Sequence, residues 1–192
     1  PRNLSRMLSV MVQTGDRFLD TRTRYGYNAI SLPTTQPVTP ADFPMERIVI
    51  DTDPGIDDAH AIMLASAHQN IHIEAITTVA GNVNIEQATA NALRILDLVK
   101  KDAPVFRGAG DGLVVSTPHR ATSHGKDGLG DCGFPYSKRS IETEPAPLAL
   151  VRLANSAPGE ITLVALGPLT NLAIAVKIDP ELPKKLKRTV VM

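Results

Sequence analysis

From Arg47 onward, five short runs rich in Ile and Val, at 47–51, 71–79, 104–106, 161–166 and 188–192, are separated by segments of helical periodicity. The runs do not alternate cleanly between apolar and polar residues, which is the pattern of strands covered on both faces. Between two of them, Ile85, Ala88, Ala92, Leu96 and Val99 recur at spacings of three and four and draw a stripe along one helix face. Asn84 and Gln87 offer a capping pair at its start. Further helices are expected at about 57–68, 147–156 and 169–178, with Pro158-Gly159 and Asp179-Pro180 as stops. Strand and helix in this alternation imply an α/β fold: an open, mostly parallel, Rossmann-like sheet with helices on both faces. Ligands of such sheets bind outside the carboxyl ends of the strands.

One strand end carries unusual charge. Directly after Ile48, Val49 and Ile50, the segment DTDPGIDD places Asp51, Asp53, Asp57 and Asp58 within eight residues. Carboxylates crowded at the end of a buried strand cannot all stay ionised unless a cation neutralises them. The cluster holds no His or Cys, so its ligands are all oxygen, and a hard cation such as Ca²⁺ or Mg²⁺ suits it better than zinc or a redox metal. Helix capping is the plainer role: Asp57 or Asp58 could cap a helix beginning near Ala59. That leaves Asp51 and Asp53, before the Pro54-Gly55 turn, without a structural purpose.

IVIDTDPGIDDAHAIMLA resembles the N-terminal signature of the nucleoside hydrolases, the inosine-uridine-preferring N-ribohydrolases. The resemblance implies Ca²⁺ at the bottom of a ribose pocket. By matched position it makes Asp53 a metal ligand and general base, Asp58 the second carboxylate ligand, Asp57 a partner of the ribose hydroxyls, and Asp51 a supporting residue close to the metal. Three later segments follow in the same order. TTVAGN, residues 77–82, puts Asn82 in a loop at the same sheet edge, and the resemblance makes it a ribose contact; by itself it is an ordinary loop asparagine. HGKDGLGD, residues 124–131, carries three glycines that permit turns other residues resist, and by resemblance its His124 lies at the pocket. In ITLVALGPLTNLA a strand runs into a helix through Gly167-Pro168, a turn that frees a strand-end carbonyl for a cation, and the matching position is Leu166. Many members carry threonine there, a difference of little weight where only the backbone contributes.

The implied reaction is hydrolysis of the N-glycosidic bond of ribonucleosides to ribose and free base, in purine and pyrimidine salvage. It passes through an oxocarbenium-like sugar cation that a carboxylate-rich site stabilises. The resemblance also implies a homodimer or homotetramer. It covers about residues 46–192, whereas family members continue well beyond that point, with a further aspartate ligand, a neighbouring histidine and more ribose contacts. The domain is therefore expected to be truncated at its C-terminus, inside a buried TVVM strand, and the 192 residues alone to have little or no hydrolase activity. A haloacid-dehalogenase-like phosphotransferase is the competing enzyme, with Asp51 as nucleophile and Mg²⁺ alongside. Gly55 stands where that pattern has Thr or Val, and the DD pair, TTVAGN and GPLTN go unexplained. A third alternative is an inactive truncated relative acting as a binding or structural protein.

Twenty basic side chains balance twenty acidic ones, so no electrostatic signal points to nucleic acid or an anionic membrane. No run is long enough to cross a membrane. Cys132, the single cysteine, excludes an internal disulfide and suits a reducing, cytoplasmic compartment. His60, His68, His72 and His119 match no family position and are expected to be ordinary surface or half-buried histidines. Residues 1–45 hold Arg2, Arg6, Arg17, Arg22 and Arg24 against Asp16 and Asp20, then Pro33, Pro37, Pro40 and Pro44. That composition reads as a disordered arm, or as a mitochondrial transit peptide, and an uninformative extension explains it equally well.

Overall fold

All five apolar runs form strands: β1 (Glu46–Thr52), β2 (Ile71–Thr78), β3 (Val105–Arg107), β4 (Ile161–Ala165) and β5 (Arg188–Val191). They belong to a computed structural model that describes residues 44–116 and 123–192, so the expectations for His119 and for nearly all of the 1–45 leader lie outside the described residues. Every strand pairing is parallel, in the order β3-β2-β1-β4-β5. The helices are α1 (Ile56–Ala67), α2 (Ile85–Val99), α3 (Ala146–Ser156), α4 (Thr170–Ile178) and α5 (Leu182–Lys185). Among the described residues no helix is long and apolar enough to cross a membrane.

Side chains of β1 to β4 feed two separate cores, which is why these runs lack a polar face. Ile48, Ile50, Ile76 and Val105 pack with Ile62 of α1 and with Ala92, Leu93 and Leu96 of α2. Val49, Ala75, Phe106, Ile161 and Leu163 face the other way, onto Ala149, Leu150 and Ala154 of α3 and Ala175 of α4. Asn84 caps α2 by accepting the Gln87 N–H at 2.8 Å. The reciprocal half of that pair does not form, because the Gln87 side chain reaches Asn91 instead. Helix α1 starts at Ile56, earlier than the Ala59 or residue 57 expected from the sequence, because Gly55 is extended and ends the turn. The single turn α5 has no periodicity to betray it, and Leu182, fully buried, anchors it.

β5 leaves apolar surface open. It pairs with β4, yet its side chains are exposed, with Val190, Val191 and Met192 among the open apolar residues, because an edge strand is covered only where another element lies over it. Glu46 ties its start to β1 by accepting from Lys187 at 2.5 Å and Arg188 at 3.2 Å.

The strand order decides where a ligand can bind. From β1 the chain winds outward through β2 to β3, then returns to β4 on the other side of β1, so the direction reverses between β1 and β4. Helices leave to opposite faces there and a crevice opens at the strands' carboxyl ends. Asp51 pairs in register with Thr77 of β2 and Ala165 of β4, so DTDPGIDD, TTVAGN and LGPLTN emerge side by side.

Candidate active site

Asp51 lies at the floor of this crevice. It is fully buried, and its Oδ1 accepts from Thr77 Oγ1 at 2.5 Å and Asn171 Nδ2 at 2.8 Å. Its Oδ2 is buried with no hydrogen-bond partner among the described residues. Burial pushes this carboxyl up to about 6, against the pull of the two donors.

Asp53 sits one step further out and is 5% exposed. Its Oδ2 accepts the Asn82 N–H at 2.6 Å. Burial, assisted by the negative charge of Asp58 and then Asp57, pushes it up to about 7 although the Asn82 N–H opposes the shift. Two strand-end loops close directly on this carboxylate. A Cβ at Gly167 would lie 2.7 Å from Asp53 Oδ1, and one at Gly81 would overlap Oδ2, so neither loop tolerates a side chain there.

Asp58, in the first turn of α1, is turned into the same crevice. Its Oδ1 accepts from Thr52 Oγ1 at 2.5 Å, and its Oδ2 from the Gly55 N–H at 3.0 Å and Asn82 Nδ2 at 3.3 Å. The capping role is thus real for Asp58, and it coexists with burial beside Asp53. Asn82 joins the two by also donating to the Asp53 carbonyl at 3.3 Å. Asp57 points outward, its side chain 58% exposed, with its Oδ1 3.7 Å from His124 Nδ1. His124 is half-buried and its Nδ1 accepts the Ile56 N–H at 3.3 Å, which leaves Nε2 to carry the proton of a neutral ring. Leu166 follows the last residue of β4; its N–H is held by the Asp51 carbonyl at 2.8 Å, and the next residue is the glycine packed on Asp53.

The structure therefore brings Asp53 and Asp58 together on Asn82, holds Asp51 separately on Thr77 and Asn171, and leaves His124 and Asp57 beside the Ile56 N–H. Among the described residues no ion pair reaches Asp51, Asp53 or Asp58. Nor do three or more His, Cys, Asp or Glu side chains there form a group arranged for a metal; the expected set has two carboxylates and a main-chain oxygen, fewer than such a group. His60, His68 and His72 are on the surface, and Cys132 is exposed and free.

Asn171 was not singled out from the sequence, although GPLTN contains it. It is fully buried, donates to Asp51 Oδ1 and, at 2.9 Å, to the Thr78 carbonyl, and accepts the Ala109 N–H at 2.9 Å. The available signal was a polar residue four positions before Ala175, on the core-facing side of a short helix. Thr52 and Thr77 were equally silent, because β-branched residues at a strand end need no functional reason.

Comparison with known proteins shows the family. Residues 48–192 match the family model described as inosine-uridine preferring nucleoside hydrolase. The chain belongs to the nucleoside hydrolase family. It is 45% identical over 150 residues to a probable uridine nucleosidase 2 of Arabidopsis thaliana, a match covering 77% of this chain and 47% of that protein. It is 41% identical over 145 residues to a non-specific ribonucleoside hydrolase of Escherichia coli, covering 76% of this chain and 48% of the other. A solved plant nucleoside hydrolase superposes with a TM-score of 0.73 at 43% identity, covering 77% and 48% of the two chains. The chain spans about half the length of the curated relatives it matches. Family membership sets aside the phosphotransferase alternative.

In this member of the family the Asp51–Asn171 pair is a structural keystone. Asn171→Leu leaves the Thr78 carbonyl and Ala109 N–H unpaired and takes a donor from a buried carboxyl. The expected loss of stability is about 3 kcal/mol or more, since each orphaned buried group costs roughly 1–3 kcal/mol. Urea unfolding measures it, and a change under about 1 kcal/mol would contradict the role assigned to Asn171.

Proposed function

We propose that this chain supplies the metal-binding and ribose-binding part of a Ca²⁺-dependent enzyme that hydrolyses the N-glycosidic bond of ribonucleosides to ribose and free base. The observation that carries the reading is the pair of buried carboxylates Asp53 and Asp58, joined by Asn82 at the point where the sheet winding reverses. The donor set fits a hard divalent cation: it is all oxygen and bears excess negative charge, and two residues before Asp53 the Asp51 Oδ2 is buried without a partner among the described residues. Asp53, Asp58 and the Leu166 carbonyl would hold the ion. Bound Ca²⁺ would acidify an attacking water and bind ribose hydroxyls.

The chain's own residues do the rest. Asp53, already tuned toward neutrality by burial, accepts the proton of the water as general base. Asn82 holds Asp53 and Asp58 together, so the base cannot swing away from its position. The carboxylates stabilise the positive charge that develops on the sugar as the bond to the base breaks. Asp57 and His124, at the rim, meet the ribose hydroxyls and the substrate.

The names of the relatives include both a uridine nucleosidase and a non-specific ribonucleoside hydrolase, which supports ribonucleosides as the substrate class, tested with uridine and inosine. The full-length protein incubated with each is expected to release ribose and free base in equal amounts. Release of phosphate from a generic phosphate ester, with the nucleosides untouched, would refute the reading.

A further inference from the structure

The loop that carries His124 is held to the catalytic turn by a buried residue with no assigned part in the site. Asn91 of α2 is fully buried, and its Nδ2 donates twice: to the Pro54 carbonyl at 3.1 Å and to the Asp127 carbonyl at 2.7 Å. Pro54 directly follows Asp53, and Asp127 lies in HGKDGLGD. The Asn91 Oδ1 accepts from Gln87 Nε2 at 2.8 Å and Arg94 Nη1 at 3.2 Å. Both hydrogens and both lone pairs are therefore engaged. A flipped amide would set an oxygen against two carbonyl oxygens, so the orientation is fixed.

The loop it grips behaves as one piece. Asp127 Oδ1 accepts the N–H groups of Leu129 and Asp131 at 2.8 and 2.9 Å, and Asp131 Oδ1 accepts those of Lys126 and Asp127 at 2.8 and 3.2 Å. The Gly130 N–H closes back on the His124 carbonyl at 2.7 Å. A pull on the Asp127 carbonyl is thus transmitted to His124. Gly128 explains how the helix approaches so closely: at φ +81° its missing Cβ would stand 2.9 Å from Asn91 Nδ2 and 3.1 Å from the Pro54 carbonyl. Apart from this clamp, the tie between the two segments is the 3.3 Å bond from the Ile56 N–H to His124 Nδ1.

We infer that Asn91 is a positioning residue that fixes His124 against the Asp53-Pro54-Gly55 turn by holding the carbonyls of Pro54 and Asp127 on one amide. The inference rests on the nucleoside hydrolase reading. It does not make Asn91 a substrate contact, since the side chain has no free polar atom to offer.

The test is a double-mutant cycle in the full-length protein, with uridine hydrolysis as readout. Asn91→Asp keeps the shape and the acceptor that Gln87 and Arg94 use but removes the two donors. It is expected to lower kcat/KM about 10²-fold, the scale of a misplaced active-site group. Because Asn91 acts through His124, the double variant Asn91→Asp/His124→Ala should be no slower than His124→Ala alone. Gly128→Ala presses on the same contact from the loop side while leaving the sequence of α2 intact, and should show the same non-additivity with His124→Ala, which covers the case of Asn91→Asp failing to fold. Additive losses in both cycles, or undiminished kcat/KM in either clamp variant, would overturn the role of Asn91 while leaving the hydrolase intact. A parent protein that turns over no nucleoside would instead overturn the hydrolase reading, and this inference with it.

Discussion

Asp53→Asn in the full-length protein is expected to lower nucleoside hydrolysis at least about 10²-fold, and up to the roughly 10⁴-fold span of general acid-base catalysis, with little change in folding. The amide is isosteric and can still accept the Asn82 N–H on its oxygen, so the loop geometry survives. What disappears is the proton acceptor and one negative charge of the proposed cation site. Folding should be spared, because a carboxyl that burial pushes up to about 7 already disfavours ionisation in the metal-free protein. Asp51→Asn makes a useful contrast. It would disturb the Thr77 and Asn171 bonds beneath the site, and if a phosphate ester rather than a nucleoside were the substrate it would be the decisive lesion. Steady-state kinetics of both variants on uridine, inosine and a phosphate ester, beside their thermal melts, distinguishes the outcomes. An Asp53→Asn enzyme with undiminished kcat would remove Asp53 from the role of base.

Much of this was legible in the chain itself. The five strands and the four longer helices follow from apolar periodicity, because burial on both faces of a parallel sheet leaves a strong composition signal at each strand. The location of the site follows too, since a charge cluster directly after a buried run can only emerge at the sheet's carboxyl edge. Sequence did not disclose which carboxylates are sealed in and which face outward. Asp57 and Asp58 are adjacent, yet one is 58% exposed at the side chain and the other is buried, a difference set by the helix rotation between neighbouring positions. Nor could spacing reveal Asn171 or Asn91. Each is a polar residue at a core position of a helix, and its purpose depends on backbone carbonyls that come near only when the sheet has formed.

Removing Ca²⁺ is expected to abolish turnover and, more diagnostically, to make stability fall as pH rises from about 4.5 to about 7. Without a cation, Asp51 and Asp53 titrate near 6 and 7 in the folded chain, against 3.8 for an ordinary aspartate. Between those values the folded state holds protons that the unfolded state has released, so the folding free energy weakens as pH climbs through the window. The loss should be on the order of a few kcal/mol, because each pKa unit corresponds to about 1.4 kcal/mol. Glu46 acts outside this range. Its hydrogen bonds to Lys187, Thr162 and Arg188 hold it down to about 2, so the stability it contributes is complete above about 4.5 and is lost only as pH falls below that. Saturating Ca²⁺ should reverse the slope, since the ion binds the ionised carboxylates and stabilises the fold more as protons leave. Melting temperatures across pH 4.5–7.5, in chelator and in excess Ca²⁺, read the two slopes directly. Parallel curves in the two conditions would mean that the carboxylates of DTDPGIDD do not hold the ion.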